Sequence, residues 1–221
     1  MQASLTNKSW TWLASLLTAL VFSFASSAAH AEEKPNPFEK EIAAFEEKDK
    51  TLFPTQEQFL FVGSSTIRLW DLKESFPGMP VINRGFGGSH LSDSVHFAKR
   101  IVLPYKPQAI VFYAGDNDIA SGKTASNSHP CRLPRVCQTR PRALNTRSFT
   151  ISVKPSPSRE KFLPIQRETN DLIKKECDAN KWMAFIDTHK AFPHRRWQDA
   201  SWLYVKNRAL SPAGSPSWPT W

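Results

Sequence analysis

Three short apolar runs, each closed by a glycine or polar turn, constrain the fold of this chain more than any other feature. Phe59-Leu60-Phe61-Val62 leads straight into Gly63-Ser64-Ser65. Met79-Pro80-Val81-Ile82-Asn83 leads into Arg84-Gly85-Phe86-Gly87-Gly88. Ala109-Ile110-Val111-Phe112-Tyr113 leads into Ala114-Gly115-Asp116-Asn117-Asp118. A short continuous apolar run bounded by turn signals is the pattern of a strand buried on both faces. Between the runs, apolar residues return at helical spacing: Ile67, Leu69, Trp70 and Leu72, then Leu91, Val95 and Ala98, with Ser89 as the expected N-cap. Strand alternating with helix predicts a parallel sheet in a layered α/β fold. Parallel strands put all their carboxyl ends on one edge. Ser65, Gly88 and Asn117 are therefore expected on a common rim, where such folds place their ligands.

The flanking segments fit that frame in part. Phe38, Ile42 and Phe45 predict an amphipathic helix, its carboxylates and lysines forming a solvated face. The first strand is expected over residues 58–62 and a fourth over 149–153. A helix follows over 166–178 with Leu172 and Ile173 facing inward, and a fifth strand over 182–186. Two stretches break the pattern, 124–147 and 189–221. The first carries Pro130, Pro134 and Pro141 and no helical period. Periodicity fails in both without loss of the flanking elements. The hypothesis this suggests is a coding sequence read out of frame across both stretches, with divergence as the alternative; translation of the other frames decides, and divergence is the better account if no helix or Asp-x-x-His appears there.

The 221 residues suit a single domain once a leader is set aside. Lys8, the apolar stretch 10–25 and Ala29-His30-Ala31 have the form of a secretory signal peptide over residues 1–31. The expected mature chain, 32–221, starts near Glu32 in a periplasm or outside the cell. Ser15, Thr18 and Ser23 dilute the leader as a membrane span, and no second stretch of spanning length follows, so no integral membrane segment is expected after cleavage.

The formal charge is +9. Much of the basic excess falls in 119–159, which has no Asp or Glu, and in particular where helical pattern is lost. Basic charge with no fold to present it is not read as a nucleic-acid footprint. Cys131, Cys137 and Cys177 do not make a disulfide framework and lack metal-ligand spacing with histidine. They read as unpaired thiols, although Cys131 and Cys137 are near enough in sequence to close a small loop. No metal or cofactor is expected.

The rim residues have the chemistry of acyl transfer. A serine hydroxyl needs a base to become a nucleophile and donors to hold the oxyanion it creates. Ser65 supplies the hydroxyl. The backbone N–H groups of Ser65 and Gly88 and the Asn117 side-chain amide supply donors. Taken singly, Gly85-Phe86-Gly87-Gly88 is also a tight turn and Asn117 an Asx-turn residue. Their joint occurrence at successive strand ends is what points to a site.

In these blocks the sequence resembles the SGNH hydrolases, the GDSL esterase and lipase family. Gly63-Ser64-Ser65 is similar to the first block, with Ser64 where Asp is commoner. Asn83-Arg84-Gly85-Phe86-Gly87-Gly88 is similar to the second, and Gly115-Asp116-Asn117-Asp118 to the third. The resemblance implies a three-layer α/β/α sandwich with a flavodoxin-like five-stranded parallel sheet. It makes Ser65 the nucleophile, with Ser65, Gly88 and Asn117 as the oxyanion hole. It also implies metal-free hydrolysis of small-molecule esters: lipid, acyl or acetylated sugar esters.

The fourth block departs from the family. Leu210-Ser211-Pro212-Ala213-Gly214 resembles the run that follows the family's Asp-x-x-His, which sets Lys206 and Ala209 where the acid and base should stand. His189, in Asp187-Thr188-His189, and His194 are the candidate substitute bases. His90, beside Gly88, reads as a substrate contact. The expectation is thus an exported serine ester hydrolase with an incomplete triad. The alternative is a non-catalytic acyl- or glycan-binding protein on the same fold.

Overall fold

A computed structural model of the chain describes residues 36–128 and 146–188. From Pro37 onward the described residues belong to one compact unit. Helix α1 (Glu39–Thr51) precedes strand β1 (Phe59–Gly63). Two single-turn helices follow, α2 (Ser65–Arg68) and α3 (Leu72–Ser75), then β2 (Val81–Gly85) and α4 (Leu91–Ile101). A 3-10 turn (Leu103–Tyr105) leads to β3 (Ala109–Tyr113), α5 (Asp116–Ala120) and α6 (Ala125–Ser128). The chain continues through β4 (Arg147–Ile151), a 3-10 segment (Pro157–Phe162), α7 (Leu163–Asp178) and β5 (Met183–Ile186).

The five strands form one sheet in the order β2-β1-β3-β4-β5, with every pairing parallel. This is the expected flavodoxin-like order. Side chains alternate between the two faces of each strand. Leu60, Val62, Ile110 and Phe112 pack with Ile42 of α1 and with Leu91, Phe97, Ala98 and Ile101 of α4. The register sets Ile110 beside Ser148 and Ser148 beside Met183, so Met183 and the α7 residues packed on it, Ile173 and Cys177, lie on that same face. On the opposite face Phe61, Val111, Tyr113, Phe149 and Ile151 pack with Ile67, Trp70 and Leu72. Helices on both faces of a parallel sheet give the three-layer sandwich.

Several expectations need correction. The carboxylates of α1 are not simply a solvated face. Asp49 is buried and accepts from Arg84 Nη2 at 2.6 Å, while Arg100 of α4 forks onto Glu46 at 2.6 and 2.7 Å and reaches Glu39 at 2.9 Å. The Arg100 hydrogen bond holds the Glu46 carboxyl below the usual range.

Ser89 does not cap α4. Its hydroxyl donates to the Phe86 carbonyl at 3.0 Å, closing the glycine loop, and the N-cap falls on His90, whose N–H donates to Asp93 Oδ2 at 2.8 Å. Leu69 is exposed, because the chain turns out of α2 at that residue, and Leu172 is only half-buried beside the fully buried Ile173. The stretch 124–147 is regular at both of its ends. Residues 125–128 form a helical turn and Arg147 opens β4, leaving 129–145 outside the described residues. The tail from 189 also lies outside them. Cys177 is a buried free thiol, while Cys131 and Cys137 fall outside the described residues.

Candidate active site at the carboxyl rim of the sheet

The strand order places β2, β1 and β3 side by side, so the turns that carry Gly88, Ser65 and Asn117 leave adjacent strand ends. Gly63 closes β1 opposite both Gly85 and Tyr113. Its φ is +147°, and a Cβ there would lie 1.9 Å from the Tyr113 carbonyl oxygen. Only glycine allows this approach. The next residue, Ser64, donates its N–H to that carbonyl at 3.1 Å and caps α2, so the half-buried Ser65 is the first residue of the helix.

Two contacts seat that helix. Gly85 lets it approach, since a Cβ at 85 would stand 2.3 Å from the Arg68 nitrogen. Asn83 fastens it: its Nδ2 donates to the carbonyls of Ile67 at 2.7 Å and Trp70 at 3.3 Å, while its Oδ1 accepts the Gly85 N–H at 2.9 Å. The Asn-Arg-Gly opening of the second block therefore positions the helix that begins with Ser65. Further along, Gly88 is exposed with φ +80° and open space where a Cβ would stand.

Asn117 ties the third turn to the second, its Nδ2 donating to the Ser89 carbonyl at 3.0 Å. Its Oδ1 accepts from Arg159 Nη2 at 2.8 Å. A primary amide has two N–H donors, and the second has no acceptor among the described residues. The acids on either side of Asn117 are both buried and both structural. Asp118 accepts from the Leu91 N–H at 3.0 Å and Lys123 Nζ at 2.7 Å, and lies 3.6 Å from His90 Nδ1. His90 thus leans on Asp118 at the rim. Asp116 accepts the Asn117 N–H at 3.0 Å and pairs with Arg159 Nη1 at 2.8 Å.

Arg159 and Lys154 were not foreseen. Both follow β4, whose carboxyl end shares the rim, and the unbalanced charge of Asp116 was the available signal. Burial holds the Lys154 amine below its ordinary range, with Asp116 opposing that shift and Arg159 adding to it.

Of the predicted site residues, Ser65, Gly88 and Asn117 come together on one rim. His189 and His194 lie outside the described residues, as do positions 206 and 209. Asp187 and Thr188, which precede His189, are described: Thr188 is buried and donates its N–H to Ser152 Oγ at 2.9 Å. Among the described residues no cluster of three or more His, Cys, Asp or Glu is placed to hold a metal, and no helix is long and apolar enough to cross a membrane.

No family model and no curated protein sequence matches the chain. Solved structures do. One is a protein provisionally described as a platelet activating factor from Streptococcus pneumonia, at TM-score 0.60 and 15% identity over 85% of each chain. A GDSL-like lipase from Bacteroides thetaiotaomicron aligns at TM-score 0.55 and 18% identity, covering 67% of this chain and 78% of the other. A protein provisionally described as an acylhydrolase from Bacteroides fragilis aligns at TM-score 0.56 and 18% identity, covering 76% and 82%. With its strand order and its three rim turns, the chain has the fold of the SGNH hydrolases.

Proposed function

We propose that the chain is an exported SGNH-type hydrolase of small esters. The observation that carries this reading is the adjacency of the Gly88, Ser65 and Asn117 turns at the ends of β2, β1 and β3. Ser65 Oγ attacks the ester carbonyl carbon. A C–O bond forms, and the carbonyl electron pair moves onto oxygen. The N–H groups of Ser65 and Gly88 and the second N–H of Asn117 receive that charge. Collapse expels the alcohol, which takes up the serine proton and leaves acyl-Ser65. Water repeats the sequence and releases the acid. His189 and His194 are the candidates to carry the proton. Lipid, acyl and acetylated sugar esters are the substrate classes, and the GDSL-like lipase and acylhydrolase among the structural neighbours support that choice.

A triad lacking its usual histidine loses several powers of ten in rate and keeps what the oxyanion hole supplies. Slow but Ser65-dependent turnover is therefore expected. The test is hydrolysis of p-nitrophenyl acetate by the parent and by Ser65→Ala, with fluorophosphonate labelling alongside. Faster turnover and labelling by the parent support the reading. Equal rates without labelling remove Ser65 as nucleophile and favour the acyl- or glycan-binding alternative. Export rests on the leader pattern of residues 1–31. N-terminal sequencing of the protein from its native host should begin near Glu32, and an intact leader on the mature protein would refute that part.

A further inference from the structure

We infer that Arg159 is a positioning residue that aims the Asn117 amide into the oxyanion hole, an inference that rests on the reading of Asn117 as an oxyanion donor. A side-chain amide can present either its oxygen or its nitrogen to a ligand, and only the nitrogen stabilises an oxyanion. Two contacts set the choice here. The Ser89 carbonyl takes one N–H of Nδ2 at 3.0 Å, and Arg159 Nη2 donates to Oδ1 at 2.8 Å. An arginine has no acceptor, so it cannot satisfy the reversed amide.

The guanidinium is itself held. Its other arm, Nη1, lies 2.8 Å from Asp116 Oδ2, and the Asp116 side chain is 10% exposed. Asp116 Oδ1 in turn accepts the Asn117 backbone N–H at 3.0 Å. The guanidinium therefore faces the side chains of two successive residues: Nη2 hydrogen-bonds the Asn117 amide oxygen, Nη1 is ion-paired with Asp116 without a hydrogen bond of its own among the described residues, and Asp116 in turn holds the Asn117 main chain. A lysine is a point donor and cannot hold both arms at once.

The geometry separates a positioning role from a merely structural one. Arg159→Lys keeps the charge against Asp116, and Arg159→Met removes it. In 15N-labelled protein the Asn117 side-chain NH2 pair should be displaced from the exposed-amide position, and should move back towards it in both variants. Thermal stability should recover in Arg159→Lys but not in Arg159→Met. In p-nitrophenyl acetate hydrolysis both variants should lose roughly 10- to 100-fold in kcat, with KM little changed. The double variant Arg159→Lys with Asn117→Ala should be no slower than Asn117→Ala alone.

An Asn117 amide signal unmoved in both Arg159 variants overturns the inference, as does full additivity of the two substitutions. A wild-type rate in Asn117→Ala sinks the oxyanion reading instead, and the role in catalysis with it. The amide shift would then still report whether Arg159 orients Asn117.

Discussion

Asp49 of α1 and Arg84 of β2, thirty-five positions apart in the chain, meet at 2.6 Å and both are buried. Arg84 Nε also donates to the Tyr105 hydroxyl at 2.8 Å, and that hydroxyl closes the triangle by donating to the other Asp49 oxygen. The guanidinium lies over the rings of Phe45 and Tyr105, at 5.0 and 4.7 Å from their centroids. One buried cation thus joins the first helix, the edge strand and the 3-10 turn before β3.

Breaking one side of such a pair leaves an uncompensated buried charge. Asp49→Ala is expected to cost about 3–5 kcal/mol in urea unfolding. Replacing both partners, as Asp49→Leu with Arg84→Met, should recover most of that loss. A single variant as stable as the parent would show that the triangle contributes nothing.

The same triangle makes a pH prediction. Burial, with the Asp49 hydrogen bond adding and Arg84 opposing, pushes the Tyr105 hydroxyl up from 10.0 to about 12. A group whose pKa is raised on folding contributes stability that is complete below its unfolded value and lost as pH rises through its folded value. The Tyr105 contribution should therefore be intact below pH 10 and fall away between 10 and about 12. Urea unfolding across that window should show a steeper decline in the parent than in Tyr105→Phe. Parallel curves would contradict the assignment.

What could be read in the sequence follows from how local each signal was. Ala109–Tyr113 was legible to the residue because a continuous apolar run between a proline and a glycine leaves no other register. The shared rim of Ser65, Gly88 and Asn117 was legible because parallel topology alone brings strand ends together. Asp49 was read as solvated because helical spacing cannot reveal that its partner sits on a strand far along the chain. Arg159 was missed for the same reason, being bound to the site through Asp116 by tertiary contact. Ser89 misled because either of two neighbours could cap α4, and the glycine loop claimed its hydroxyl first.

Ser64 offers a test of the first block. Its side chain is fully buried, and its hydroxyl has no hydrogen-bond partner among the described residues. An unsatisfied buried polar group carries its full desolvation cost, about 1–3 kcal/mol. Ser64→Ala should therefore be neutral or stabilising in a thermal melt. Ser64→Asp, which places there the residue commoner in the SGNH hydrolases, should destabilise because it forces a larger, charged carboxylate into a fully buried side-chain position. A large loss in Ser64→Ala would mean that the hydroxyl is satisfied and needed.

Gly85 and Gly88 belong to one loop but should respond to alanine in opposite ways. At Gly85 a Cβ would meet the Arg68 nitrogen at 2.3 Å and the Ile67 carbonyl carbon at 2.8 Å, so the backbone of α2 must give way. Overpacking of that kind costs about 1–3 kcal/mol, and here it also displaces the helix that begins with Ser65. Gly85→Ala should lose both stability and Ser65 labelling by a fluorophosphonate. At Gly88 the space is open and only the φ of +80° is strained. That costs about 1–2 kcal/mol and leaves the seat of Ser65 alone. Gly88→Ala should keep more Ser65 labelling than Gly85→Ala while slowing ester turnover, because Ser65 stays seated and, on the proposed reading, only one oxyanion donor is re-aimed. Loss of labelling in Gly88→Ala with its retention in Gly85→Ala would reverse these roles, and would mean that Ser65 is seated by the glycine loop and not by β2.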